Sequence, residues 1–237
     1  MGGRRARSGQ LMCQMTGFQD REAIQMDSVT RIEQRAKEAL SDSKGCHSWD
    51  HTVRVLRLAQ HIVEVEGGNS DVVTLAAILH DIGRPAQDAT KGAVCHAEEG
   101  ARITREMLEE EGYDEGIIRQ VVHCVLAHRH RGQNRPESAE AKIIYDADKL
   151  DSIGAIGIGR IFLFAGEHGG KLHDKHVDIE NTREYTEDDT AYREFLVKLR
   201  YVKDKVYTAE GKRLAQERHD FMEEFFERLN KEVDGEL

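Results

Sequence analysis

Apolar residues recur at helical spacing along most of the chain, and clusters of turn residues break the pattern at intervals. In SWDHTVRVLRLAQHIV (48–63) the apolar arc is Val55, Leu56, Leu58, Ala59, Ile62 and Val63. DVVTLAAILHD (71–81) is apolar almost all round, which marks a central helix. DEGIIRQVVHCVLAHRHR (114–131) carries a stripe of Ile117, Ile118, Val121, Val122 and Val125. The periodicity predicts helices over about 22–40, 48–65, 71–81, 96–111, 114–129, 139–150, 153–166, 188–206 and 209–232. Between them lie SDSKG (41–45), EGGNS (66–70), GRPAQD (83–88), EGYDEG (111–116) and RGQNRPES (131–138), all turn chemistry. The longest weakly patterned stretch, 166–189, has the length of a lid, a binding loop or a disordered excursion. The last helix places Leu214, Phe221, Phe225 and Leu229 on one stripe, read as facing the chain's own core.

The expected fold class is therefore all-α, and a composition with two prolines and 6% aromatic residues agrees. A length of 237 residues suffices for one filled core. Residues 22–237 are read as a single domain, and the basic segment 1–21 as a flexible N-terminal extension without a signal-peptide hydrophobic region. The net charge of −10 argues against broad nucleic-acid binding. It leaves room for a small anionic substrate, because a bound cation reverses the local field. Cys13, Cys46, Cys95 and Cys124 form no CxxC pair, which fits a reducing, cytoplasmic setting better than a disulfide scaffold. No apolar run approaches the roughly 18–20 residues needed to span a bilayer, so no membrane partner is expected. The amphipathic last helix makes a homodimer the assembly to consider.

Several ionisable residues interrupt these apolar faces. His51 falls on the edge of the arc in 48–63, with Arg54 flanking it. His80 and Asp81 end the most apolar helix, where an ionised carboxylate is costly unless it is paired or bound to a cation. His128 falls on the edge of its stripe, whereas His123 points to the opposite side. In AKIIYDADKLDSIG (141–154), Asp146 and Lys149 are neighbours on one side. Asp148 and Asp151 form a separate pair, and Asp151 reads as a turn or N-cap for the next helix. A lone inward histidine is more often a hydrogen-bonded core residue than a ligand. Recurrence of such groups on successive helices favours a shared site. His51, His80, Asp81 and Asp146 offer two imidazoles and two carboxylates, a donor set suited to Mn²⁺, Fe²⁺, Co²⁺, Ni²⁺ or Zn²⁺, and less to Mg²⁺.

The order His51 … His80-Asp81 … Asp146, in the contexts SWDHTVRV, AILHDIG and IIYDADKLDSIG, resembles the signature of the HD-domain metal-dependent phosphohydrolase superfamily. HAEEGA after the His-Asp pair and DADKLD near the last aspartate are similar to the small bacterial YedJ- and YpgQ-like HD proteins. The motifs cover about 45–165 and extend weakly into the C-terminal helices. The resemblance implies an HD-type helical bundle with a central metal and additional C-terminal helices packed on it. It also implies hydrolysis of phosphomonoesters, phosphodiesters or nucleoside triphosphates; the YpgQ-like relatives suggest release of pyrophosphate from triphosphates. The chain lacks the GYP and HHE motifs of the cyclic-di-GMP phosphodiesterases, and Arg84 stands where several HD nucleotidases carry glutamate.

A divalent ion on the four ligands would acidify water and polarise a phosphoryl group. Asp81 is assigned to orient or deprotonate that water, and Lys149, beside Asp146, to stabilise the developing charge. Arg54 and Arg84 are candidate phosphate clamps. His96 and His128 are assigned to substrate, with a second metal or proton donation as the alternatives. Trp49 and Tyr145 are read first as packing residues and second as platforms for a base. The expected partner is a small phosphorylated molecule, foremost a nucleotide. Competing functions are a 5′-nucleotidase, a cyclic-nucleotide phosphodiesterase, a nucleotide-binding regulator without turnover, and a helical scaffold.

Overall fold

The apolar run at 72–79 is deeply buried. In the computed structural model, which describes residues 27–41, 48–129 and 134–237, Val72, Val73, Leu75, Ala76, Ala77, Ile78 and Leu79 are all inaccessible to solvent or nearly so. They belong to α3 (Ser70–Leu79), whose N-terminus is capped by Asn69 accepting from the Asp71 and Val72 amides. The other helices are α1 (27–39), α2 (Trp49–Glu66), α4 (Arg84–Ala89), α5 (His96–Glu110), α6 (Glu115–Ala127), α7 (Ala139–Leu150), α8 (Gly154–Glu167), α9 (Ala191–Val197) and α10 (Ala209–Val233). A 3₁₀ turn, Leu199–Asp204, follows α9. Helices α2, α6 and α7 surround α3, α5 packs along α6, and α10 lies against α8, α7 and α2. Among the described residues there is no strand, so the fold is all-α, as the periodicity predicts.

One hydrophobic cluster runs from Ile32 on α1 to Phe226 on α10. Full burial of each Leu, Ile or Phe within it is worth roughly 1.5–3 kcal/mol. Capping side chains set the helix starts: Asp114 for α6, Ser138 for α7, Thr190 for α9 and Thr208 for α10. The connection from α3 to α5 is tight because Gly83 lies directly against α5. A Cβ at Gly83 would fall inside contact distance of the His96 carbonyl oxygen and the Gly100 amide. That close approach puts the start of α5 beside the end of α3.

Three expectations change. GRPAQD, read as a turn, forms the short helix α4 with Pro85 in its first turn, where a missing N–H costs nothing. The helix expected over 188–206 divides into α9 and the 3₁₀ turn. On α10 the buried line is Gly211, Ala215, His219, Met222 and Phe226, whereas Phe221 is exposed and Leu214, Phe225 and Leu229 only flank the core. Small residues at 211 and 215 let α10 approach its neighbours, a packing effect that ranking by hydrophobicity misses. The expected extension 1–21, Cys13 and Cys46 lie outside the described residues.

Candidate active site

The ends of α3 and α6, the first residue of α5 and the third residue of α2 bring four buried histidines together around one carboxylate. His51 and His80 face each other with their Nε2 atoms 3.2 Å apart. His96 and His128 do the same at 3.2 Å. Asp81 lies between the pairs: Oδ2 is 3.8 Å from the Nε2 atoms of both His51 and His80. Its Oδ1 is 3.6 Å from those of both His96 and His128. All five residues are at most 4% exposed. Among the described residues these make two three-donor groups compatible with a metal ion, His51–His80–Asp81 and Asp81–His96–His128.

The opposite nitrogen of each ring settles which atom faces the centre. Nδ1 of His80 donates to the Ala77 carbonyl at 2.8 Å, and Nδ1 of His128 to the Val125 carbonyl at 2.6 Å. Nδ1 of His96 donates to Gln87 Oε1 at 2.8 Å, and Nδ1 of His51 to Asp151 Oδ2 at 2.7 Å. Carbonyl and carboxylate oxygens can only accept here, so each Nδ1 carries the proton and a neutral ring presents a bare Nε2 lone pair. Burial pushes His80 down to about 4. Burial, then the Arg84 charge, pushes His96 down to about 3. Burial also opposes charge on His51, but Asp148 and Asp151 outweigh it and raise its pKa. Facing lone pairs beside a carboxylate repel one another unless an electron-pair acceptor lies between them. The donor set therefore fits a divalent cation, with nitrogen and oxygen but no thiolate ligands.

Two assignments from the sequence are corrected. Asp146 does not reach this centre. It is fully buried, and its carboxylate accepts from the Tyr207 amide at 2.8 Å, the Thr208 amide at 2.7 Å and the Thr208 hydroxyl at 2.6 Å. Gly211 makes room for it, since a Cβ there would collide with Oδ2. Asp146 thus ties α7 to the start of α10. The carboxylate of α7 that faces the site is Asp148, with Oδ1 3.4 Å from His51 Nε2. Two residues along a helix is a rotation of about 200°, so only one of the two aspartates can face the histidines.

Arg54 is the second correction. Its Nε and Nη2 meet Asp151 Oδ1 and Oδ2 at 2.7 and 3.0 Å, and it is absent from the cavity wall. Asp151 also accepts from Arg160 Nη1 at 2.6 Å. Burial opposes its charge, but His51, Arg54 and Arg160 hold it down at about 2. Asp151 is thus the orienting partner of His51 rather than a helix N-cap, and Arg54 fixes Asp151.

A cavity of about 390 Å³ opens onto the cluster. His96, His128 and Asp148 line it, together with Arg84, Arg129, Lys149, Arg160, Lys198 and Lys205. Six cationic side chains on one cavity stand out against the negative net charge. Lys149 is there as expected, but pairs with Asp148 at 2.7 Å rather than with Asp146. Arg84 Nη2 lies 3.1 Å from Asp81 Oδ1, and its buried Nε has no hydrogen-bond partner among the described residues. Tyr145 reaches the wall, while Trp49 packs on the core. His123 accepts from the Glu137 amide away from the cluster. Arg129, Arg160, Lys198 and Lys205 come from segments without a motif; their only sequence signal was positive charge.

The helical scaffold and the histidine–aspartate cluster have the form of an HD domain, and the HD domain model matches residues 48–153. The chain belongs to the HD domain family, a family of metal-dependent phosphohydrolases. YpgQ of Bacillus subtilis (strain 168) is 32% identical over 216 residues, covering 89% of this chain and 96% of that protein. The crystal structure of Bacillus subtilis YpgQ in complex with ADP is similar with a TM-score of 0.70 at 29% identity, over 88% of this chain and 96% of that one. An HD-superfamily hydrolase from Bacillus thuringiensis is similar to the same degree, with a TM-score of 0.70 and 29% identity, over 89% and 98% of the two chains. Among the described residues no helix is long and apolar enough to cross a membrane.

Proposed function

We propose that this protein is a divalent-metal-dependent nucleoside triphosphate pyrophosphohydrolase. The observation that carries the reading is the convergence of four imidazole Nε2 atoms and the two oxygens of Asp81 at the wall of a strongly cationic cavity. His51, His80, Asp81 and Asp148 would hold one ion. His96 and His128, with the other oxygen of Asp81, form a second donor group, which favours the second-metal alternative over simple substrate binding. Bound there, a divalent ion supplies a Lewis acid that lowers the pKa of water and polarises the phosphoryl oxygen. Mn²⁺, Fe²⁺, Co²⁺, Ni²⁺ and Zn²⁺ suit the mixed nitrogen and oxygen donors better than Mg²⁺.

The chain's own groups account for the remainder. Lys149, Arg84 and Arg129 draw the polyphosphate in and hold its oxygens as negative charge shifts. Asp81 orients the attacking water and takes its proton. The water oxygen bonds to the α-phosphorus, and the bond from that phosphorus to the α,β-bridging oxygen breaks. Its electron pair leaves with pyrophosphate, so the other product is the monophosphate. A cavity of about 390 Å³ is of a size that small ligands occupy, and YpgQ, similar over nearly the whole chain, has been solved with ADP.

The test is metal-reconstituted turnover of a nucleotide panel, with pyrophosphate and orthophosphate measured separately. Pyrophosphate from triphosphates is expected. Orthophosphate from monophosphates would make the protein a nucleotidase, and tight binding without either product would make it a regulator.

A further inference from the structure

The weakly patterned segment 166–189 contains one residue that neither the family motifs nor the metal cluster explains. Tyr185 has φ +63°, a left-handed conformation shared among the described non-glycine residues only with Lys91. Glycine or asparagine would adopt it more readily, whereas a bulky ring is rare there. The fold nevertheless holds it firmly. The Tyr185 amide donates to Asp189 Oδ2 at 2.8 Å. The other oxygen of Asp189 binds Arg193 Nη1 at 2.8 Å, and Arg193 Nη2 donates to the Thr182 carbonyl at 2.7 Å. Asp189 and Arg193 are both buried, so a buried ion pair grips the chain on either side of the turn. What it presents is a tyrosine that is 64% exposed as a residue and lines the same cavity as His96, His128 and the lysines and arginines.

The ring is positioned as well as exposed. Phe164 and His168, from the end of α8, approach it at 5.6 and 5.4 Å, inclined at 65° and 62°. Both are inclined to it, so neither stacks on its face. The cavity that Tyr185 shares also has Leu199 and Val202 in its wall, apolar surface that a polyphosphate cannot use. A flat heterocycle joined to the phosphates can use both.

We propose that Tyr185 is the base-stacking residue of the site: an aromatic platform on which the base of a nucleotide lies while its phosphates face the cations and the histidine cluster. This rests on reading the site as one that takes nucleotides. It makes the segment after α8 a specificity element, one that reads the presence of a base and tolerates different bases because each has a π-face.

The experiment compares equilibrium binding of ADP and of inorganic pyrophosphate to the full-length, Mn²⁺-loaded protein. Tyr185→Gly suits the left-handed backbone and removes only the ring. It is expected to weaken ADP binding by roughly tenfold or more while pyrophosphate binding stays as in the wild type. Tyr185→Phe should bind ADP as the wild type does. Equal weakening of both ligands, or no weakening of ADP, overturns the platform. So does loss of ADP binding in Tyr185→Phe, which would assign the work to the hydroxyl. A wild type that binds ADP through Tyr185 but releases no pyrophosphate from triphosphates would sink the proposed reaction and leave the platform standing.

Discussion

Asp146 and Asp148 lie two residues apart on α7, and the fold uses them in opposite ways. Asp146 is a sealed structural carboxylate. Burial pushes its pKa up, while the Thr208 hydroxyl and the Thr208 and Tyr207 amides oppose that rise. Its three donors come from the start of α10, so it is a joint between two helices. Asp148 faces the other way, toward His51, Lys149 and the cavity. Burial disfavours its charge, but Lys149 and His51 outweigh burial and hold it well below the usual carboxylate range. One aspartate is satisfied by fixed dipoles; the other is kept ionised by Lys149 and His51 and offers its charge to the site. Identity and spacing on a helix do not separate such residues, because what a carboxylate does depends on which donors the fold brings to it.

Exchanging the two tests the contrast most strongly. Asp148→Ala should lower turnover by roughly 10²–10³-fold with little change in melting temperature. Asp146→Ala should leave turnover per folded molecule nearly intact but cost about 1–3 kcal/mol of stability, because buried amides lose their acceptor. Paired measurements of kcat and thermal melting decide it, and the reverse pattern would restore Asp146 to the site. A smaller effect is expected one step out from the cluster. Asp151→Asn keeps the shape but weakens the hold on His51 Nδ1, so metal affinity by titration should fall about 10–100-fold. Unchanged affinity would mean that His51 needs no orienting partner.

The smallest effect concerns protons. His80 and His96 are held at about 4 and about 3 in the metal-free protein, against an ordinary value of 6.5, burial being the main cause. Between those values and 6.5 the unfolded chain binds more protons than the folded one, so stability falls as pH is lowered through that window. His51 has the opposite sign: its raised value contributes stability below 6.5 that is lost as pH rises through the folded pKa. With two residues against one, the melting temperature of chelator-treated protein should drop by roughly 2–6 °C between pH 6.5 and 5. His96→Gln should shrink that drop. A flat profile in the unsubstituted protein would contradict neutral imidazoles at the centre.

Much of the fold was legible in the chain because helical burial has a period. The all-round apolar run at 72–79 had to be central, and it is. His51, His80, Asp81 and His128 could be picked out because each broke an apolar face at a position turned inward. His96 was found through its neighbourhood in HAEEGA. Its pairing with His128 across Asp81 follows from the contact of Gly83 with α5, a relation between two helices that no single-helix pattern contains. Arg54 was placed on the correct side of its helix but given the wrong partner, since only the folded chain shows Asp151 beneath it.

The sequence by itself determined the helices, the buried face of most of them and the residue types gathered at the site, because those depend on local spacing and on the cost of burying charge. The tertiary structure decided which aspartate of DADKLD serves the cluster, which nitrogen of each histidine faces inward and which cations ring the cavity. It also decided that a tyrosine from the unpatterned segment lines the cavity. Those outcomes depend on which atoms meet across helices far apart in the chain, and a hydrogen-bond donor 61 or 62 residues away leaves no periodic trace.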